Sequence, residues 1–421
     1  MISLVEALSF RSLRHLSQQL SRFNILIGPN ASGKSTFLDA IAFLSDLLEH
    51  GPEKAVRRRG RSIEEITWNH SGNRFELAIE LDVPERLRAS RPNGLFHKCR
   101  YEVAMGYAGA NEAVLLNEVF WLKPNELVGE PQIDLGEVFP REFLPSESIL
   151  AAARNRSPDQ SGWRKVVNKI SDSGNDWFKA ESGEWNNLFR LGPRKASLAN
   201  LPEDEEKFPI STWAKRLLME GIQVLMLNSQ AMRLPCSPLA PRGFLPDGSN
   251  LPIAIRELQK EPLRYNKWLA HVRTALPEIE SIRVNERPED RHLYVEAQYQ
   301  TNIGVPSWLL SDGTLRLLAL TLIAYLPGEG SVYLIEEPEN GLHPKAVEAV
   351  YQSLSSAYDH QILVASHSPV LLSLADPSQI LCFAKNGSGA TDVVRGTEHP
   401  ILKDWRGEVN LSVLFASGVL G

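Results

Sequence analysis

The chain has 421 residues, 43% of them apolar, and a formal net charge of −6. The apolar fraction supports a large buried core, the length allows two or three average domains, and the acidic balance gives no chain-wide nucleic-acid signature, which needs a basic excess or a basic face. Three widely spaced cysteines, Cys99, Cys236 and Cys382, have no metal-ligand spacing, and their odd number argues against a disulfide framework, so they read as reduced thiols of a cytoplasmic protein.

In chain order, Ile2 and Leu4 begin an alternating strand that runs into Phe10-Arg11-Ser12-Leu13. Phe23-Asn24-Ile25-Leu26-Ile27 reads as a buried strand, and Phe37, Ile41, Leu44 and Leu48 then recur at helical spacing up to Gly51. Between them Gly28-Pro29-Asn30-Ala31-Ser32-Gly33-Lys34-Ser35-Thr36 fits the pattern G-x-x-x-x-G-K-[ST]. Strand, glycine-rich loop and helix together place backbone N–H groups and a helix N-terminus around a phosphate. Lys34 is placed to reach the β- and γ-phosphates of a nucleoside triphosphate, and the Ser35 hydroxyl to ligate magnesium. A plain glycine turn is the bland alternative. A chance match in a chain of this length is a roughly few-per-cent event, and the flanking strand and helix make it rarer.

Arg57-Arg58-Arg59-Gly60-Arg61, with Arg86, Arg88 and Arg91, reads either as a basic face for nucleic-acid backbone or as a solubilising surface. Residues 75–83 alternate apolar with polar, residues 101–107 repeat the pattern, and Val119-Phe120-Trp121-Leu122 closes a third candidate strand. These predict an antiparallel sheet beside a parallel core. From 140 to about 230 helical-looking pieces at 146–154, 163–170 and 213–220 alternate with polar connections, which predicts an inserted helical lobe. No sustained a/d heptad is present there, so long coiled-coil arms are absent. Glu203-Asp204-Glu205-Glu206 is the dense carboxylate run a self-contained nuclease would need, and without a strand to orient it a solvated acidic loop is the better reading. Prolines and Gly243 make 234–246 a loop, Ser249 or Asn250 caps the next helix, and Ile282/Val284 with Leu293/Val295 suggest a hairpin.

The last third carries the partner pieces of the phosphate loop. Leu310-Ser311-Asp312-Gly313-Thr314 precedes an apolar helix at 315–326, which is too short to span a bilayer and contains Arg316 and Thr321. Nor does the N-terminus show a leader pattern, since Glu6 and Arg11 interrupt it. Val332-Tyr333-Leu334-Ile335 is a central-strand run that delivers Glu336-Glu337-Pro338 at its carboxyl end, where ligands bind in parallel α/β sheets. One acid, Glu336, is suited to magnesium and a second, Glu337, to orienting and polarising the attacking water. Ile362-Leu363-Val364-Ala365 ends at Ser366-His367-Ser368-Pro369, and His367 can sense a γ-phosphate. A lone Glu-Glu is more often a solvated turn; all the pieces in order point to function. After His367 there is room for one or two strands and a short helix, so no effector domain is fused.

This order and wording resemble the RecF/SMC-like branch of the ABC-ATPase superfamily, which includes bacterial predicted AAA-family ATPases related to the OLD (overcoming lysogenization defect) family and found in anti-phage systems. Leu310 to Thr314 resembles the ABC signature loop, with Asp312 and Thr314 departing from the transporter wording. The run 336–344 is similar to the branch's Walker B and D-loop, with Glu336 where Asp is usual. Phe10-Arg11-Ser12-Leu13 resembles its N-terminal strand, whose basic residue approaches nucleotide; 247–251 and 411–421 also look like this group. No segment is assigned as a Q-loop.

The resemblance implies an α/β ABC-type P-loop ATPase head. Its N-terminal part would be 1–139, an inserted lobe 140–230 and its C-terminal part 231–421. It further implies ATP as nucleotide and a head-to-head homodimer, ATP-dependent or constitutive. The loop at Gly28, Asn30, Ala31, Ser32, Gly33, Lys34, Ser35 and Thr36, with Arg11, would hold ATP in one subunit, while Ser311, Asp312 and Gly313 of the other approach the γ-phosphate. Lys34, Glu337 and His367 would be catalytic, and Ser35 and Glu336 would hold Mg2+. The leading expectation is an ATP-gated clamp or switch for a separate effector such as a nuclease, in DNA repair or anti-phage defence. The alternative is a slow-turnover ATP-binding scaffold that regulates a protein partner without acting on DNA.

Overall fold

The computed structural model describes residues 1–89, 96–108, 112–124, 138–142, 146–151, 162–170, 176–183, 185–328 and 330–402. The chain opens with β1 (Ile2–Phe10), β2 (Leu13–Gln19) and β3 (Phe23–Ile27). Then come β4 (Arg74–Asp82), β5 (Phe96–Ala108), β6 (Glu112–Pro124), β7 (Arg164–Ile170), β8 (Asp176–Lys179) and β9 (Asn186–Phe189). With β1 and β2 they form an antiparallel sheet of order β2-β1-β4-β5-β6-β7-β8-β9.

β10 (Ile222–Leu225) belongs to the core sheet, and β11 (Ile279–Glu286), β12 (Leu293–Tyr299) and β13 (Gly304–Pro306) form a small antiparallel sheet. β14 (Val332–Glu336), β15 (Gln361–Ala365), β16 (Ile380–Lys385) and β17 (Thr391–Arg395) complete the core sheet, ordered β10-β14-β15-β3-β16-β17. All its neighbours run parallel except the edge pair β16–β17. β3 therefore sits between strands from the far end of the chain.

The core strands read as unbroken apolar runs because both faces are covered. Along β14, Val332 and Leu334 join the core shared with helix Lys34–His50 and the antiparallel sheet, whereas Tyr333 and Ile335 join the opposite core. That second core packs under helices Leu251–Gln259, Pro262–Ala275, Asp312–Leu322 and Pro344–Ser355. The Gln361 side chain ties the two sheets together. It accepts from the Ile2 N–H at 2.8 Å and donates to the Ile2 and Ser21 carbonyls at 2.8 and 2.9 Å.

One expectation needs correction. The stretch 163–170 is not helical: Arg164–Ile170 is β7, paired with β6 through Val119↔Asn168 and Phe120↔Val167. The β-branched pair Val166-Val167 suits a pleated strand, and β6 and β8 supply the partners that local spacing cannot reveal. Residues 146–151 are also non-helical, and 152–154 lie outside the described residues. Within 140–230, helix Pro209–Arg216 and the turn Leu217–Gly221 carry the expected helical character.

The polar side of β4 is buried as well. Glu76 and Glu80 are 1% and 3% exposed. Arg100 pairs with Glu6 at 2.6 Å and Glu102 at 2.9 Å, and Lys123 with Glu80 at 2.6 Å. Glu102 also accepts from Trp121 Nε1 and the Ala151 N–H, at 2.9 and 3.0 Å. Residues 148–151 cover this row, and buried charges of this kind persist only when each is paired and hydrogen-bonded.

Candidate active site

The carboxyl ends of β3, β15 and β14 lie side by side, through the pairs Leu26↔Ala365 and Ala365↔Glu336. From β3 the chain turns through 28–33 into helix Lys34–His50, whose amino end points into the same space. Gly33 has φ 108°, and a Cβ there would stand 2.2 Å from Thr391 Oγ1, so only glycine fits. That Thr391 hydroxyl lies 2.9 Å from the Ser32 carbonyl and 3.0 Å from Ser12 Oγ, and the Thr391 N–H donates to the Ser12 carbonyl at 3.0 Å. β17 thus braces the loop from the sheet edge.

A cavity of about 400 Å³ opens here, lined by residues 30–36 with Ser12, Glu336, Glu337 and His367. Lys34 Nζ donates to the carbonyls of Gly28 and Pro29 at 2.8 and 2.9 Å. Burial pulls its pKa down to about 8, against the opposing pull of Glu337 and Glu336. Across the cavity Ser35 Oγ donates to Glu336 Oε2 at 2.8 Å. A hydroxyl and a carboxylate facing open space are hard oxygen donors suited to Mg2+, which takes one or two protein ligands and fills its shell with water and phosphate oxygens. Among the described residues no group of three His, Cys, Asp or Glu is arranged to hold a metal.

Glu337 has φ 46°, and its N–H donates to the Ala365 carbonyl at 2.8 Å. Its Oε2 accepts from Asn340 Nδ2 at 2.5 Å. Glu339 Oε1 accepts from Ser366 Oγ at 2.7 Å and from the His367 N–H at 3.0 Å, holding the turn after β15 against the turn after β14. Partial burial and then the Lys34 charge lower the His367 pKa, which favours the neutral ring.

The remaining predicted residues lie elsewhere. Ser311 caps helix Asp312–Leu322, its Oγ accepting from the Thr314 N–H at 3.1 Å, and Asp312 pairs with Arg233 at 2.6 Å. Ser311 and Asp312 are exposed, and neither they nor Gly313 lines the cavity of their own chain. Arg11 is turned onto Asp39 at 2.9 Å and the Arg59 carbonyl at 3.0 Å, outside the cavity. Its neighbour Ser12 takes the position at the loop. Ser12, Thr391, Glu339 and Asn340 were not singled out from sequence; Ser12, Glu339 and Asn340 stood inside recognised stretches, whereas no local pattern marks Thr391.

The arginine-rich stretch is largely paired within the chain. Arg59, with a side chain 6% exposed, meets Asp39 at 2.6 Å and Asp46 at 2.7 Å. Arg58 also pairs with Asp46, and Arg57 with Glu53 at 2.6 Å. Arg86 and Arg88 border a larger cavity, about 940 Å³, near the amino ends of the core strands, far from the phosphate loop; Arg91 lies outside the described residues. The acidic run is likewise matched: Asp204 pairs with Lys207 at 2.8 Å and Glu205 with Arg216 at 2.9 Å. Cys99, Cys236 and Cys382 are buried free thiols. No helix among the described residues is long and apolar enough to cross a membrane.

Residues 23–91 and 229–373, slightly more than half of the chain, match the family described as "AAA domain, putative AbiEii toxin, Type IV TA system". These segments contain the phosphate loop, the Ser311 loop, both carboxylates and His367. No curated protein matched the chain. Among solved structures, an Smc head bound to the C-winged helix domain of ScpA is 17% identical with a TM-score of 0.53, the match covering 93% of this chain and 96% of that one. The Smc head domain with an extended coiled coil from Pyrococcus furiosus, bound to the C-terminal domain of ScpA, is 14% identical with a TM-score of 0.50, over 93% and 95%. At these identities the likeness is one of fold. The chain belongs to the family described as AAA domain, putative AbiEii toxin, Type IV TA system, and its fold is like that of the Smc heads.

Proposed function

We propose that the chain binds ATP with magnesium, hydrolyses it at a site completed by a second copy, and serves as an ATP-gated switch for a separate effector. One observation carries this reading. Phosphate loop, Ser35–Glu336 pair, Glu337 and His367 share one cavity, while the Ser311–Gly313 loop of the same chain stands outside it, capping a helix whose amino end is exposed. A capped helix amino end is suited to an anion, and a second copy would bring it one.

In this reading Lys34 leaves the Gly28 and Pro29 carbonyls for the β- and γ-phosphates. Glu337 orients and polarises the attacking water, and the neutral His367 ring donates to a γ-phosphate oxygen. Magnesium, held by Ser35 and Glu336, would offset charge on the phosphates during transfer. Ser311 and Gly313 close the site from the partner. The effector, nuclease-like or toxin-like and acting in genome defence or DNA repair, rests on the resemblance alone. The internal pairing of Arg57, Arg58 and Arg59 favours a switch that answers to a protein partner over one that reads DNA. The slow-turnover scaffold remains the second reading, and turnover measured with and without duplex DNA separates the two.

The test is Lys34→Ala. Magnesium-dependent hydrolysis should fall by roughly a hundredfold or more, with circular dichroism and thermal midpoint unchanged. Wild-type turnover in a folded Lys34→Ala variant would remove the phosphate-loop assignment.

A further inference from the structure

We infer that Asn340 is a positioning residue for Glu337, setting which carboxylate oxygen faces the attacking water; the inference rests on the hydrolysis proposed above. The turn after β14 is fixed from several sides. Glu337 has φ 46°, a left-handed conformation that a non-glycine residue keeps only when its surroundings demand it. The Asn340 N–H donates to the Glu337 carbonyl at 3.1 Å, and the Asn340 side-chain amide donates to Glu337 Oε2 at 2.5 Å. One residue therefore holds both ends of Glu337.

The chemistry of the contact matters. A carboxylate that polarises water needs one oxygen free to accept from it. An amide N–H on the other oxygen fixes the plane of the group, and unlike a lysine or histidine it neither titrates nor competes for the proton. Asn340 is itself held by its neighbours. Glu339 is anchored to Ser366 and the His367 N–H, and the Gly341 carbonyl lies against Gly313, where a Cβ would come within 2.8 Å of that oxygen. The turn that aims Glu337 is thus wedged between the His367 loop and the Ser311–Gly313 loop of the same chain. Glu337 and Asn340 are exposed in a single chain. Covering them with a partner lowers the local dielectric and strengthens the amide–carboxylate contact when the site closes.

Asn340→Ala and Asn340→Asp test this beside the wild type, by steady-state hydrolysis and by equilibrium binding of a non-hydrolysable ATP analogue. Asn340→Ala should lower kcat roughly tenfold, with KM and analogue binding within about twofold of wild type. Asn340→Asp removes the amide donor and places a second carboxylate against Glu337, and should lower kcat at least as far as Asn340→Ala, with analogue binding again within about twofold of wild type. Wild-type kcat in both variants, or a loss of kcat matched by a loss of analogue binding, would overturn the inference while leaving the hydrolysis reading intact. A folded wild-type chain with no turnover would instead overturn the hydrolysis reading, and this inference with it.

Discussion

Lys34 shows how one residue's surroundings set a measurable property. Its amine is held by two loop carbonyls in a partly dry pocket, and burial brings its pKa down to about 8 despite the nearby carboxylates. Bound phosphates would favour the ammonium and raise that value, so nucleotide binding should take up a proton above about pH 8. Affinity should then decline as pH rises from about 8 towards 10, by up to about tenfold per pH unit. Calorimetric titrations in buffers of different ionisation enthalpy would report both effects, and a flat affinity over that range would contradict them. At this scale the sequence was most informative where chemistry is local: loop, Ser35, Glu336, Glu337 and His367 could be named from short patterns because each sits at a strand end or helix start. Thr391 and the Asn340–Glu337 contact were not legible, since their partners are set by how a distant strand or a strained turn is placed.

At the scale of elements, periodicity identified β3, β14, β15 and the helix after the phosphate loop, all of which have covered faces and strong apolar signals. It misread Arg164–Ile170, because strand pairing is a property of two segments and only one was in view. It also treated the arginine run as surface. Helix Pro52–Arg57 and the turn after it instead dock on helix Lys34–His50, with Arg59 buried between Asp39, Asp46 and the face of the Phe43 ring. The consequence is unequal. Arg59→Ser should cost about 2–3 kcal/mol, because it removes a buried guanidinium that meets two acids and leaves Asp39 with Arg11 and Asp46 with Arg58 as their remaining partners. Arg57→Ser, whose pair with Glu53 is exposed, should cost under about 0.5 kcal/mol. Thermal midpoints of the two variants check this; equal small shifts would show that Arg59 is no structural anchor.

At the scale of the molecule, the core sheet joins the chain's two ends: β3 pairs with β15 and β16, some three hundred and more residues later. That closure follows from the order of the pieces, since a phosphate loop and carboxylates can only cooperate within one sheet. The arrangement leaves the Ser311 loop away from its own cavity, and the proposed dimer gives it a use. Glu337→Gln should keep ATP binding while stopping hydrolysis, so a closed state should accumulate. Light scattering on Glu337→Gln, with ATP and magnesium and without, and again with Ser311→Arg added, tests the central claim most directly. The mass should rise from one chain to two on adding ATP, and fall back to one with Ser311→Arg while each chain still binds nucleotide. A mass indifferent to both ATP and Ser311→Arg would contradict it.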